Sequence, residues 1–148
     1  MKQQLLNDIE NVINVKSLNY TLFLRICEIP VANNDDLNSV IRRAFGENSL
    51  IHDQEEISAK VICDEVQKCL FYAGDEGAGP DAAVLQSDLF LELVDELCGE
   101  LVQEAQPEVK TEIFQFKCGH PAYPVFWDFA FAFRHPDHTK IFIGSSSD

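Results

Sequence analysis

The sequence predicts an α+β fold: about four helices packed on a small antiparallel sheet with a C-terminal three-stranded meander. Three observations predict it. Apolar residues recur at helical spacing through most of the chain up to Pro107. Beyond Pro107 the period changes to two and aromatic residues dominate. Between the two longest helical patterns stands Ala73-Gly74-Asp75-Glu76-Gly77-Ala78-Gly79-Pro80, the strongest breaker in the chain.

Taken in order, Leu5, Leu6, Ile9, Val12 and Ile13 give a first amphipathic helix within Lys2–Val15. Asn19–Ile29 is rich in β-branched and aromatic residues and stops at Pro30; a strand fits, though a short apolar run also suits a buried helix. Asn33, Asn34, Asp35 and Asp36 offer N-caps for a short helix carrying Leu37, Val40, Ile41 and Ala44, ended by Gly46. Ser49–Tyr72 predicts a longer helix with Ile57, Val61, Ile62, Val66, Cys69 and Leu70 as its stripe. The last helix begins near Asp81 or Ser87, repeats Leu85, Leu89, Leu93, Leu97 and Leu101, and is limited by Pro107. Thr111–Cys118 and Val125–Arg134 are strands, 135–140 is a turn, and Ile141-Phe142-Ile143 closes a hairpin. All helices are expected on one face of the sheet. Phe129, Phe131 and Phe133 form its core side; Phe126, Asp128, Ala130 and Ala132 form a flatter side able to receive a partner. The final Gly144–Asp148 is most simply a frayed polar end, or else an ordered edge.

The 148 residues suit one domain spanning 1–148, and 46% hydrophobic residues with 11 Phe supply a core. No window of about 18 apolar residues exists, so no membrane span is expected. Asp8 and Glu10 interrupt the N-terminal segment where a signal peptide needs an apolar core. Five cysteines at spacings that match no metal or disulfide framework point to reduced thiols in a cytoplasm.

Charge is the distinctive property. The formal net charge is −14. From Leu50 to Lys110 fifteen acids face three lysines, a balance of −12, and the rest of the chain is nearly neutral. Such a surface repels nucleic-acid phosphate and anionic lipid and suits a basic protein.

Motifs with possible chemistry are few. Cys118-Gly119-His120 could pair a nucleophile with a base, with Asp128 as orienter, but a strand-ending Cys followed by a turn explains the same residues. His135, Asp137 and His138 share one turn and could hold zinc or copper; no further ligands lie at suitable spacing, and Pro136-Asp137 equally suits a hairpin. His52, Asp53, Glu55 and Glu56 are expected as the polar start of a helix. Asp75–Asp81 lacks the alternating ligands of a calcium loop, and Gly74, Gly77 and Gly79 lack the Lys of a phosphate loop. No enzyme activity, metal or cofactor is therefore expected.

In size, acidity and want of a catalytic motif, the chain resembles the small acidic bacterial immunity proteins. The resemblance implies a cytoplasmic chain that neutralises a basic toxin, often a nuclease, by occluding its active site or substrate channel. The binding residues would be Asp75, Glu76 and Asp81 on the loop and Glu92, Asp95, Glu96 and Glu100 on the last helix. Tyr72 would serve as aromatic anchor, with Phe71 and Tyr123 as further candidates. An intracellular adaptor, or a small enzyme using Cys118 and His120, are the alternatives. Oligomeric state stays open, since the Leu-rich helix 85–101 could pack inward or on a second copy.

Overall fold

The computed structural model describes residues 1–31 and 35–148. Along the chain run α1 (Gln3–Asn14), β1 (Thr21–Pro30), α2 (Leu37–Phe45), β2 (Leu50–Glu56), α3 (Ala59–Leu70), α4 (Ala82–Leu85), α5 (Asp88–Glu104), β3 (Lys110–Cys118), β4 (Trp127–Arg134) and β5 (His138–Ser147). The class is α+β, as the two periodicities indicate. The strands form one antiparallel sheet in the order β1-β5-β4-β3-β2. The expected meander is its β3-β4-β5 part.

The helices do not all lie on one face. Leu5, Leu6, Ile9 and Ile13 of α1, Ile62, Val66 and Leu70 of α3, and Phe90, Val94, Leu97 and Leu101 of α5 bury against Phe129, Phe131, Phe133 and Phe142. On the other face Leu37, Val40 and Ile41 of α2 pack on Phe114, Ala130, Ala132, Ile141 and Ile143. The small Ala130 and Ala132 therefore do not leave a free platform; they let α2 approach the sheet closely. Phe126 also departs from expectation. It precedes β4 and turns to the α1/α3/α5 side, where its ring lies 5.6 Å from Tyr20 and 5.9 Å from Tyr72.

The predicted helix over Ser49–Tyr72 is a strand followed by a helix. Leu50–Glu56 pairs with β3 through a ladder with two register shifts, and Asp53 sits at φ 51°. A bulged edge strand with one side in water can carry His52, Asp53, Gln54, Glu55 and Glu56 outward, and such residues show no apolar alternation. The helix proper starts after Ser58. The last helical segment uses both expected starts. Asp81 accepts from the Ala83 N–H (2.7 Å) to cap α4, and Ser87 accepts from the Phe90 N–H (3.3 Å) to cap α5. For α2 the cap is Asp36, which accepts from the Ser39 N–H; Asn33 and Asn34 lie outside the described residues.

The serine-rich end is neither frayed nor an edge. β5 runs to Ser147 and pairs on both sides, with β1 from Thr21↔Ser147 and with β4 from Trp127↔Ser146. Gly144 is required there. A Cβ on it would stand 2.3 Å from the Phe129 ring and 2.8 Å from Leu24.

The outer edge of β1 is closed by side chains of α1. Asn14 accepts from the Leu22 N–H (2.7 Å) and donates to the Leu22 carbonyl (3.0 Å). Glu10 accepts from the Leu24 N–H, while Gln3 accepts from the Ile26 N–H (3.0 Å) and donates to the Leu24 carbonyl (3.2 Å). Strand edges left open recruit other chains, and here a helix face supplies the missing partners.

Candidate partner-binding surface

The eleven Lys and Arg are unevenly used. Arg43 pairs with Asp35, Lys60 with Asp64, Lys68 with Glu65, Lys110 and Arg134 with Glu112, and Lys140 with Glu104. Among the described residues, Asp75, Glu76, Asp88, Glu92, Asp95 and Glu96 form no ion pair, and all are exposed. Spacings of three and four residues put Asp88, Glu92, Asp95 and Glu96 on one face of α5.

Glu100 and Asp81, also singled out in the sequence, are occupied, and so is Glu104 at the end of α5. Glu100 accepts from the Lys2 N–H (2.9 Å), and Glu104 is buried against Lys140 and the Met1 amino group, each at 2.7 Å. Burial by itself would raise the Glu104 pKa, but those two cations outweigh it and hold the carboxyl below the usual glutamate value. Asp81 spends one oxygen on the α4 cap.

The acidic loop is held in shape by its own backbone and by a neighbouring segment. Asp75 N–H donates to the Ala78 carbonyl (2.8 Å) and Ala78 N–H returns the bond (3.2 Å). Leu18 and Gly79 exchange two backbone bonds, and Asn19 Nδ2 donates to the Gly77 carbonyl (3.0 Å). Gly74 and Gly79 approach so closely that a Cβ on either would lie 2.7 Å from the other's Cα. That contact, with φ of +89° and +156°, explains the glycines without invoking a phosphate. Asp75 and Glu76 thus project from a fixed loop.

Beside this loop an aromatic group forms. Tyr72 stacks on Tyr20 (6.2 Å, 23°), and Trp127 Nε1 donates to Tyr20 Oη (3.0 Å). One face of the Trp127 indole is covered by Phe129 (5.8 Å, 8°). The Tyr72 hydroxyl is pushed up to about 12 by desolvation and by the adjacent Asp75 carboxylate, so it stays a neutral donor. Phe71 is exposed at 38% with its ring edge-on to Phe90 at 5.3 Å, and Tyr123 is 89% exposed.

The sheet forks at this end. β3 and β4 pair only from Lys110↔Arg134 to Ile113↔Phe131. Past that point β3 continues with β2 up to Leu50↔Cys118, and β4 continues with β5. Two openings flank the fork and share one residue, Asp128. One, of about 350 Å³, is lined by Glu65, Lys68, Cys69, Tyr72, Phe126, Trp127 and Asp128. The other, of about 420 Å³, is lined by residues 116–120, Ala122, Tyr123, Pro124 and Asp128. Asp128 is exposed and, among the described residues, in no ion pair.

Comparison with known proteins finds no matching family model, no matching curated protein and no matching solved structure.

The structure places Cys118, His120 and Asp128 around one opening without joining the first two by a hydrogen bond among the described residues. Cys118 Sγ donates to the Asn48 carbonyl (3.0 Å), while His120 Nδ1 meets the backbone of Ala122 at 2.7 and 3.0 Å. Burial lowers the His120 pKa, opposed by Ala122 and Asp128. His135 and His138 stack in parallel, centroids 4.3 Å apart, and His138 Nδ1 lies 2.7 Å from Asp137. Among the described residues no group of three or more His, Cys, Asp or Glu is arranged to hold a metal ion. None of their helices is long and apolar enough to cross a membrane. The cysteines are free; burial pushes Cys69 and Cys98 up to about 12, which keeps them in the thiol form.

The residue that sequence reasoning placed elsewhere is Asp128, expected on a flat face or as orienter for His120. Its position after the single Trp of an aromatic strand was the available signal.

Proposed function

We propose that this chain is an acidic protein-binding module, an immunity protein of bacterial type that neutralises a basic toxin domain in the cytoplasm. It would act by lying over the toxin's active site or substrate channel. One observation carries the reading. Among the described residues, Asp75, Glu76, Glu92, Asp95 and Glu96 stand exposed and outside any ion pair, on a pinned loop and one helix face, while six cations are engaged elsewhere. Charge of one sign, fixed in place and left uncompensated, speeds encounter with a partner of opposite sign. Nuclease domains are basic because they track phosphate, and a carboxylate surface competes for the same groups.

The test is capture from the native host with salt elution, followed by association kinetics of the captured partner across a salt series. A variant carrying D75K, E76K, E92K, D95K and E96K should associate more slowly at low salt, with a flatter salt dependence. Unchanged kinetics would sink the proposal. A captured partner without toxic activity would favour an adaptor instead. The enzyme reading keeps one supporting observation, the opening shared by the exposed Cys118 and the half-buried His120. It requires that Cys118→Ser abolish a measurable turnover.

A further inference from the structure

We infer that the groove between α3 and the start of β4 is a receptor for one arginine side chain of the basic partner. The inference rests on the reading of the chain as a binder of a basic protein, and it names the group that reading leaves open. The groove, about 350 Å³, has Tyr72, Phe126 and Trp127 among its walls and the carboxylates of Glu65 and Asp128 on its lining.

Each part suits a guanidinium. Aromatic faces attract cations through their quadrupole, and indole does so best. Trp127 is fixed for the purpose, its Nε1 bound to Tyr20 and one face resting on Phe129. A planar guanidinium lies flat on such walls while forking two N–H bonds to a carboxylate; an ammonium is a hydrated point charge and does only the second. Asp128, at the fork of the sheet, is the carboxylate without an ion pair among the described residues. Among the described residues the cation lining the groove, Lys68, is tethered to Glu65 (3.3 Å) with its side chain 75% exposed, so it points to solvent rather than filling the aromatic space. Charge complementarity, aromatic lining and an uncommitted carboxylate select the same occupant.

Trp127 is the only tryptophan in the chain, so its emission reports on the groove alone. The experiment titrates N-acetyl-arginine amide into the protein at constant ionic strength. N-acetyl-citrulline amide, of equal shape without the charge, and N-acetyl-lysine amide run in parallel. Arginine should give a saturable change, and citrulline binding should be at least about five-fold weaker. Lysine should also bind more weakly than arginine. Asp128→Asn should weaken arginine about five-fold at an unchanged near-ultraviolet circular dichroism spectrum. If that variant does not fold, Glu65→Gln, which removes the other carboxylate of the lining and frees Lys68 to compete at the groove, should weaken arginine as well. Equal binding of arginine and citrulline, or a folded variant that binds arginine like the parent, overturns the inference; lysine binding as tightly as arginine overturns the assignment to guanidinium.

These outcomes are separable from the proposed function. Arginine binding with unaltered kinetics in the five-fold charge-reversed variant would leave the groove standing and remove the acidic-surface reading. The opposite pair of results would remove the groove alone.

Discussion

The carboxylate of Glu10 accepts the backbone N–H of Leu24, so a side chain of α1 occupies the place that another strand would take beside β1. Burial raises the Glu10 pKa, and the Leu24 N–H only partly offsets this. A folded-state pKa above the unfolded one contributes stability at low pH that is lost as pH rises through the raised value. Glu10→Gln keeps the acceptor and removes the ionisation. It should be at least as stable as the parent at neutral pH, with a flatter stability profile as pH rises above the ordinary glutamate pKa in denaturant titrations. Glu10→Ala leaves the N–H without its partner and should cost about 1–3 kcal/mol.

Glu112 has the opposite sign. Its side chain is 3% exposed and is held by Lys110 (2.6 Å), Arg134 (3.5 Å) and Gln54 (2.7 Å). Burial alone would raise its pKa, but Lys110, Gln54 and Arg134 outweigh it and hold it low. The stability it contributes is therefore complete above the ordinary glutamate pKa and lost as pH falls through the depressed value. Glu112→Gln should cost about 2–4 kcal/mol at neutral pH, and the gap to the parent should close in acid.

Gly144 faces the Phe129 ring with no room for a methyl group. Gly144→Ala should destabilise by about 1–3 kcal/mol through displacement of Phe129, although the backbone there suits any residue. Thermal unfolding measures it. A neutral substitution would show that the Phe129 ring can shift without loss of packing.

Tyr20 Oη is the acceptor for the Trp127 indole N–H. Tyr20→Phe strands that donor in a half-buried site and should cost about 1–2 kcal/mol. The emission maximum of Trp127 should move at the same time. Loss of stability with an unmoved maximum would show that the cost lies elsewhere in the ring cluster.

Much of the fold is legible wherever an element buries one side only. α1 and α5 announce themselves through Ile9/Ile13 and Leu97/Leu101, because half-burial writes a period into the residues; β4, buried on both faces, shows its period instead through alternating Phe129, Phe131, Phe133 and Ala130, Ala132. β2 is not legible. Its His52–Glu56 segment is an edge in water, so it carries no apolar alternation and merges with the polar start that α3 would have. Ser145 and Ser146 mislead for a different reason: they are buried under neighbours on both sides, and small polar residues give no strand signal when packing alone selects them.

The surface is legible to the same degree. Asp75 and Glu76 follow from a Gly-rich loop, and Glu92, Asp95 and Glu96 from helical spacing. Glu100 could not be separated from them, because its engagement with Lys2 joins residues far apart in sequence. The groove at Asp128 draws on two stretches, Glu65–Tyr72 and Phe126–Asp128, that meet only in the folded chain.

The placement of β5 between β1 and β4 sets the order of events in folding. β1 has one strand neighbour, and that neighbour arrives last, with Thr21 opposite Ser147. No hairpin joins β1 to its strand neighbour, so the β1 ladder cannot form until β5 is in place, although α1 can already lie along its other edge. Closure over such a sequence separation is slow, in the millisecond-to-second class of non-local β proteins. The amides of β1 and β5 should consequently gain protection from hydrogen exchange together, in a single late step, after β3 and β4 have paired.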